Sequence, residues 1–146
     1  MNGKILFVDD DANLLAACER NFRRQFRLDT AEGGEAGLKK LDAAGPYAVV
    51  VADRQMPGMD GIQFLSLVRQ KAPDTVRLML TGNADLESAI RVVNEGNIFR
   101  FLTKPCDTED LARALTAALE QHRLQTVEKD LLERTLKGAI LMLGEL

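Results

Sequence analysis

Short apolar runs alternate along the chain with longer stretches in which apolar residues recur every three or four positions. The runs have the length and composition of β-strands, and the stretches between them have the spacing of helices that bury one face. Of the five runs, the second is the weakest strand candidate. The predicted strands are Lys4–Val8, Arg27–Ala31, Ala48–Ala52, Val76–Leu80 and Ile98–Leu102.

Five helices are predicted between and after these strands. Asp11 is a candidate N-cap for the first, and Gly96 is a stop signal for the fourth. The predicted helices run from Asn13 to about Gln25, over Glu35–Leu41, onward from Gly61, onward from Asp85, and onward from Asp107 or Thr108. Strands that alternate with helices in this way predict an α/β fold, a doubly wound parallel sheet with helices on both faces.

The composition indicates a single globular domain and argues against several classes of protein, but it does not indicate a function. The 146 residues suffice for one domain, and 46% hydrophobic with 28% charged residues is typical of a soluble globular protein. A net charge of −3 does not favour nucleic-acid binding, and no apolar run approaches the roughly 20 residues that span a membrane. Cys18, Cys106 and the single histidine, His122, do not form a zinc motif, so reduced thiols in a cytoplasmic protein are expected.

Acidic, hydroxyl and ammonium side chains follow four of the five predicted strands. In a parallel sheet, the carboxyl ends of the strands meet at one edge, where ligands bind. The polar groups are Asp9-Asp10-Asp11, Asp53, Thr81-Gly82 and Thr103-Lys104-Pro105.

Carboxylates packed at one edge repel each other unless a cation lies among them. Short acidic side chains are suitable ligands for Mg²⁺, which takes one or two carboxylates and a phosphate oxygen. A hydroxyl and a lysine can hold further phosphate oxygens, and an aspartate can accept the phosphoryl group. Taken singly, each group could be a helix cap, a turn or a solvated charge. Together they predict Mg²⁺-dependent phosphoryl chemistry at an aspartate.

At this point the chain resembles the receiver domain of bacterial two-component response regulators. The resemblance covers about Lys4 to His122, and it implies a flavodoxin-like sheet with strand order 2-1-3-4-5. The motifs that carry it are VDDD at Val8–Asp11, VADRQMPGMDG at Val51–Gly61, LTG at Leu80–Gly82 and FLTKP at Phe101–Pro105.

The resemblance also implies a role for each motif residue. Asp53 would accept the phosphoryl group from a sensor histidine kinase or a histidine phosphotransfer protein. Asp10, Asp53 and the backbone carbonyl of Gln55 would bind Mg²⁺, with Asp9 acting through a water. Thr81 and Lys104 would hold phosphate oxygens, and the Lys104-Pro105 peptide would be cis. Asp11 and Asp60 are not motif positions, and they are interpreted as a capping residue and a loop residue.

Three more positions would govern the response to phosphorylation. Phe101 occupies the switch position, where a tyrosine is more usual, and its alternative role is core packing. Phosphorylation would change a surface formed by the fourth helix, the fifth strand and the fifth helix. Gln55 and Asn83 lie where family members tune the lifetime of the phosphoryl group. The stretch from Gly96 to Phe101 is one residue longer than usual.

The last 25 residues, 122–146, form a helical linker or dimerisation segment after a receiver domain at 1–121. Two apolar stripes with coiled-coil-like spacing indicate a homodimer through the fifth helix and this tail, but packing on its own domain is an open alternative. His122 is interpreted as an exposed helix residue. An apolar end favours a fragment of a longer regulator, with an HD-type phosphodiesterase as one candidate output. The stripes are Leu124, Val127 and Leu131, then Leu132, Leu136, Ala139, Leu143 and Leu146.

Two other functions remain open from sequence. A haloacid-dehalogenase-like phosphohydrolase would use Asp9 as its nucleophile with Asp11, Thr81 and Lys104, but it would leave Asp53–Gly61 unexplained. A receiver that serves only for binding is disfavoured because every active-site position is filled.

Overall fold

The computed structural model describes residues 3–82 and 98–144. Five parallel strands form one sheet in the order β2-β1-β3-β4-β5, as predicted. The strands are β1 (Lys4–Asp9), β2 (Arg27–Glu32), β3 (Val49–Asp53), β4 (Val76–Thr81) and β5 (Arg100–Thr103).

Helices cover both faces of this sheet, because successive strand residues point to opposite sides. On one face, Phe7 and Val51 pack with α1 and the C-terminal helix, and on the other, Val8 and Val50 pack with α2 and α3. The helices are α1 (Ala12–Phe22), α2 (Gly34–Ala44), α3 (Gly61–Lys71) and the C-terminal helix (Thr108–Gly144). The predicted fourth helix and Asn83 lie outside the described residues. No helix among the described residues has the length and apolar composition needed to cross a membrane.

The first two helices differ from their predicted bounds. Helix α1 ends at Phe22, short of Gln25, because the backbone amides of Gln25 and Phe26 bond back to the Phe22 carbonyl and turn the chain toward β2. Helix α2 extends beyond the predicted Glu35–Leu41 at both ends. Gly37 allows this helix to lie close to α3 and β1, because a side chain there would collide with Phe64 and Val8.

Strands β1, β3 and β4 each include the polar residue expected to follow them, so that Asp9, Asp53 and Thr81 are strand residues. The pairing between neighbouring strands therefore fixes their positions. Asp53 lies opposite Leu80, and Thr81 lies opposite Thr103.

The C-terminal helix is continuous through the tail and leaves the domain. Its first turns are buried through Leu119, whereas every described residue from Arg123 onward is exposed. The packing of the tail's apolar stripes on their own domain is therefore wrong for the described residues. His122 is partly buried, which corrects its expected exposure.

Candidate functional site

Three carboxylates converge at the carboxyl edge of the sheet. Asp9 ends β1, Asp10 follows it, and Asp53 ends the neighbouring β3. One oxygen from each lies within 4.8 Å of the others, which makes the three a candidate metal-binding group. Asp9 and Asp53 are buried, at 2% and 7% exposure, while Asp10 faces solvent.

Lys104 provides the positive charge between the two buried carboxylates. Its Nζ lies 3.2 Å from Asp9 Oδ2 and 3.1 Å from Asp53 Oδ1. The Lys104-Pro105 peptide is cis, as the resemblance implied. The backbone amide of Lys104 donates to the carbonyl of Thr81 at 2.8 Å, which joins the ends of β4 and β5 at this edge.

Asp9 is held at both carboxylate oxygens. Its Oδ1 accepts the backbone N–H of Asp11 at 3.0 Å, and its Oδ2 accepts from Lys104. The side chain of Asp11 in turn caps α1 by accepting the amides of Asn13 and Leu14, which confirms the predicted N-cap.

The pKa values of Asp9 and Lys104 are both raised, but for different reasons. Burial raises the pKa of Asp9, Asp53 adds to the rise, and the Asp11 amide and Lys104 offset it only in part. Burial alone would lower the pKa of Lys104, but the hydrogen bonds and charges of Asp53 and Asp9 outweigh it, so its pKa is raised. Burial thus makes the charged form of the Asp9 carboxyl less favourable than it is in water, even with Lys104 beside it.

The residue set fits a hard divalent cation. Its donors are carboxylate oxygens, from two buried residues and one exposed residue. Among the described residues, Lys104 is the cation that contacts both buried carboxylates. Such oxygen donors suit Mg²⁺, whereas no cysteine or histidine joins the group to favour a softer metal.

The loop after Asp53 is shaped by a close approach at Gly61. A Cβ at this position would come within 2.2 Å of the Asp53 carbonyl oxygen, so only glycine fits without moving the strand end. Asp60, interpreted from sequence as a loop residue, is the N-cap of α3 and forms a capping box with Gln63. The helix predicted onward from Gly61 is confirmed, and only the capping role of Asp60 was missed.

This loop forms a polar cleft of about 540 Å³ beside the acidic cluster. Gln55, whose carbonyl the resemblance assigned to the metal, is exposed in it next to Asp10. Arg54 also lines the cleft, and the sequence analysis did not single it out. Its position directly after Asp53 was the available signal.

Thr81 and Phe101 occupy the positions expected of them in the sheet. Thr81 is buried at the end of β4. Phe101 pairs with Met79 in the next strand and packs, partly buried, against the core on the α2 and α3 face. Core packing is therefore what Phe101 does in this structure.

An apolar groove of about 460 Å³ opens between α1 and the start of the C-terminal helix, and sequence reasoning missed it. Lys104 lines this groove as well as the acidic site, so the two are adjacent. Burial raises the pKa of the Cys18 thiol in its wall to about 11, which keeps that thiol protonated near neutral pH. The other lining residues are Leu14, Ala17, Asn21, Phe22, Leu80, Pro105, Cys106, Thr108 and Leu111.

Comparison with known proteins defines the class to which this fold and site belong. The model of the response regulator receiver domain matches residues 5–116, and the chain belongs to that family. It is a receiver domain of two-component phosphorelay signalling, and the haloacid-dehalogenase alternative is not supported.

Individual relatives agree with this assignment. The chain is 32% identical over 121 residues to the hydrogenase transcriptional regulatory protein HoxA of Cupriavidus necator, covering 83% of this chain and 25% of that protein. It spans about a quarter of the length of the curated relatives it matches.

Two solved structures are similar across nearly their whole length. One, described as adenylate cyclase from Rhodopirellula baltica, has a TM-score of 0.86 and 41% identity, covering 91% of this chain and 98% of that chain. The other is the signal receiver domain of an HD domain-containing protein from Pseudomonas fluorescens Pf-5, with a TM-score of 0.79 and 32% identity, covering 84% and 98%.

Proposed function

We propose that this receiver accepts a phosphoryl group on Asp53 from a phosphohistidine of a sensor histidine kinase or a histidine phosphotransfer protein. The observation that carries the proposal is the bridge of Lys104 between Asp9 and Asp53, beside the three clustered carboxylates. A carboxylate oxygen of Asp53 bonds to phosphorus as the phosphorus–nitrogen bond breaks, and the electron pair leaves with the donor imidazole. Loss of phosphorylation in Asp53→Asn tests the assignment.

The roles of the other side chains follow from where they lie. Lys104 stands against one oxygen of Asp53 and can neutralise negative charge on a group transferred there. Thr81, at the end of the adjacent β4, can donate its hydroxyl to a phosphate oxygen. Charge neutralisation and positioning supply most of the catalysis in phosphoryl transfer.

Asp10, Asp53 and the carbonyl of Gln55 would hold Mg²⁺, which when bound supplies charge neutralisation at the phosphoryl oxygens. Asp9 would act through a water, as the resemblance implies, and each of its oxygens accepts one hydrogen bond from the protein. The described chain thus offers two carboxylates to the metal directly, which matches the ordinary preference of Mg²⁺.

Mg²⁺ should stabilise this protein more at about pH 8 than at about pH 5. The pKa of Asp9 is raised from 3.8, so its carboxyl becomes protonated in the folded protein as the pH falls through the raised value. Each protonated carboxyl removes one charge that attracts the cation. At about 100 times its Kd, the metal should add about 2.7 kcal/mol to the free energy of unfolding at the higher pH.

Thermal denaturation with and without Mg²⁺ at both pH values measures this difference. The variant Asp9→Asn has no titrating group at this position, so its response to Mg²⁺ should depend less on pH. An equal shift in Tm at both pH values in the wild type would contradict the expectation.

We also infer that the phosphodonor protein docks over the apolar groove beside Lys104. The donor histidine must reach Asp53, and this groove is the apolar surface that shares Lys104 with the site. The variant Ala17→Glu places a charge in its wall and should slow transfer from a phosphohistidine protein by about tenfold or more, as expected for a charge buried at an interface. Transfer from acetyl phosphate, which needs no docking surface, should be unchanged.

Ala16→Glu is the matched control, because Ala16 is the exposed neighbour on α1 and lies outside the groove. Its rates with both donors should equal those of the wild type. If Ala17→Glu slows both donors equally, the substitution has disturbed the site itself and the docking inference is wrong.

A further inference from the structure

A cavity of about 480 Å³ lies at the amino edge of the sheet, at the opposite end of the strands from the acidic site. It opens between the C-terminal helix and the residues that directly precede β1 and β3, Gly3 and Ala48. Asp9 ends β1 six residues after Gly3, so about 20 Å of extended strand separates the cavity from the carboxylate cluster. The size of the cavity is within the range of sites for small organic molecules.

One face of the C-terminal helix forms the wall of this cavity. Five residues of the helix line it, and four of them occupy the i, i+3, i+4 and i+7 positions of a single helix face. These four are Leu119, His122, Arg123 and Thr126, and the fifth is the half-exposed Val127. Because this stripe begins at the buried Leu119, the face that packs on the sheet continues beyond the amino edge and becomes the wall of the cavity.

The floor of the cavity is apolar. The side chains of Ala48 and Leu119 are buried in the core between the sheet and this helix. The backbone of Ala48 is fully engaged, since its amide donates to the Lys4 carbonyl at 2.8 Å and its carbonyl accepts the Val76 amide at 2.9 Å. A Cβ on Gly3 would lie 2.7 Å from the Ala48 Cβ, so glycine lets the chain pass close to this floor. Ala48 and Leu119 therefore offer a ligand apolar surface without a free hydrogen-bonding group.

The helix supplies hydrogen-bonding groups above this floor. The single histidine, His122, is partly buried, and its imidazole has no hydrogen-bond or ion-pair partner within residues 3–82 and 98–144. Arg123 is held by Glu120, which accepts from Nε at 3.0 Å and from Nη2 at 2.7 Å, so Nη1 lies outside that pair. The Thr126 hydroxyl donates to the His122 carbonyl at 2.9 Å, and its oxygen can still accept a hydrogen bond. An imidazole beside an oriented guanidinium is suited to binding a carboxylate.

The charge of the wall favours an anionic ligand. Among the described residues that line the cavity, Arg123 carries a full charge and none is acidic. Glu120 offsets part of this charge, but it also fixes the orientation of the guanidinium, which reduces the entropy lost when a ligand binds. The apolar floor in turn requires a ligand with an apolar body.

We propose that this cavity binds a small organic carboxylate, with its apolar body over Ala48 and Leu119 and its carboxylate at His122 and Arg123. Such a ligand would contact the domain and the helix at once, because both line the cavity. It would therefore hold the helix between His122 and Val127 against the amino edge of the sheet. None of these groups takes part in the function proposed for Asp53.

Titration with benzoate, followed by the NMR signals of the imidazole, tests the proposal. The chain has one histidine, so the carbon-bound protons of its ring give a single set of signals. At fixed pH, benzoate should move these signals along a saturating curve with a Kd of about 1–10 mM, as expected for a ligand of this size. Acetate has the carboxylate but no apolar body, and benzyl alcohol has the body but no charge. Each should bind at least about tenfold more weakly than benzoate.

Arg123→Gln removes the charged donor and should weaken the binding of benzoate about tenfold. Arg134→Gln is the matched control, because Arg134 also pairs with an acid of this helix but lies outside the cavity, and it should bind like the wild type. Asp53→Asn should also bind like the wild type. The proposal would be overturned by shifts that do not saturate by about 50 mM benzoate, by equal affinity for acetate, by equal losses in the two arginine variants, or by loss of binding in Asp53→Asn.

Discussion

Asp53→Asn should take up no phosphoryl group when the protein is incubated with acetyl phosphate and Mg²⁺, whereas the wild type should take up one per chain. The substitution keeps the size and shape of a buried side chain, so the fold is retained. An amide lacks the anionic oxygen that bonds to phosphorus, so the acceptor chemistry is lost altogether. Intact-mass measurement after a short incubation gives the result directly.

Two controls make this experiment specific. Asp11→Asn replaces the cap of α1 by an equally good capping residue, so it should be phosphorylated like the wild type. Asp9→Asn should be slower but still modified, because its acceptor is intact. Phosphate that survives Asp53→Asn but disappears in Asp9→Asn would indicate that Asp9 is the nucleophile.

The second large effect is expected for Lys104→Ala. In the metal-free protein this substitution leaves Asp9 and Asp53 without the cation that contacts both. Breaking a fully buried ion pair costs about 3–5 kcal/mol, and the 28% exposure of the Lys104 side chain reduces the expected loss of stability to about 2 kcal/mol. Transfer from acetyl phosphate should fall about 100-fold, as is usual when one charged donor to a transition state is removed.

The pH dependence of this loss follows from the direction of the pKa shift. The pKa of Lys104 is raised in the folded protein, so its stabilising contribution is present below its unfolded pKa of about 10.4 and is lost as the pH rises through the folded value. The difference between wild type and Lys104→Ala should therefore be present at neutral pH. It should shrink in acid, where the carboxyls become protonated.

Urea denaturation at several pH values measures this difference, and Lys40→Ala, which removes an exposed lysine of α2, is the control. Added Mg²⁺ should restore part of the stability of Lys104→Ala, because it brings positive charge to the same carboxylates. If Lys104→Ala were as stable as Lys40→Ala and took up phosphate from acetyl phosphate as fast, the contacts of Lys104 with Asp9 and Asp53 would contribute neither to stability nor to phosphoryl transfer.

The convergence of Asp9, Asp53, Thr81 and Lys104 could be predicted from sequence because strand direction alone determines it. Parallel strands deliver their last residues to one edge, whatever the details of packing. The order of strands came from the resemblance, since hydrophobic patterns do not specify which strands are neighbours.

Features that depend on packing between distant segments could not be predicted. The groove between α1 and the C-terminal helix joins Ala17 to Pro105, and no local pattern relates two positions so far apart. The capping role of Asp60 was hidden because Asp-Gly also forms turns, and the close approach of Gly61 to the Asp53 carbonyl decides between them.

Because the C-terminal helix is continuous, a small change in its tilt at the domain would move its far end by a larger distance. Its first residue, Thr108, is four positions after Lys104, and its tail extends about 31 Å beyond Arg123. A tilt of about 5° at the domain would move the far end by roughly 3 Å, which is comparable to the helix shifts that switch known protein interfaces. A displacement at the acidic site too small to disturb the core would therefore be amplified at the far end of this helix.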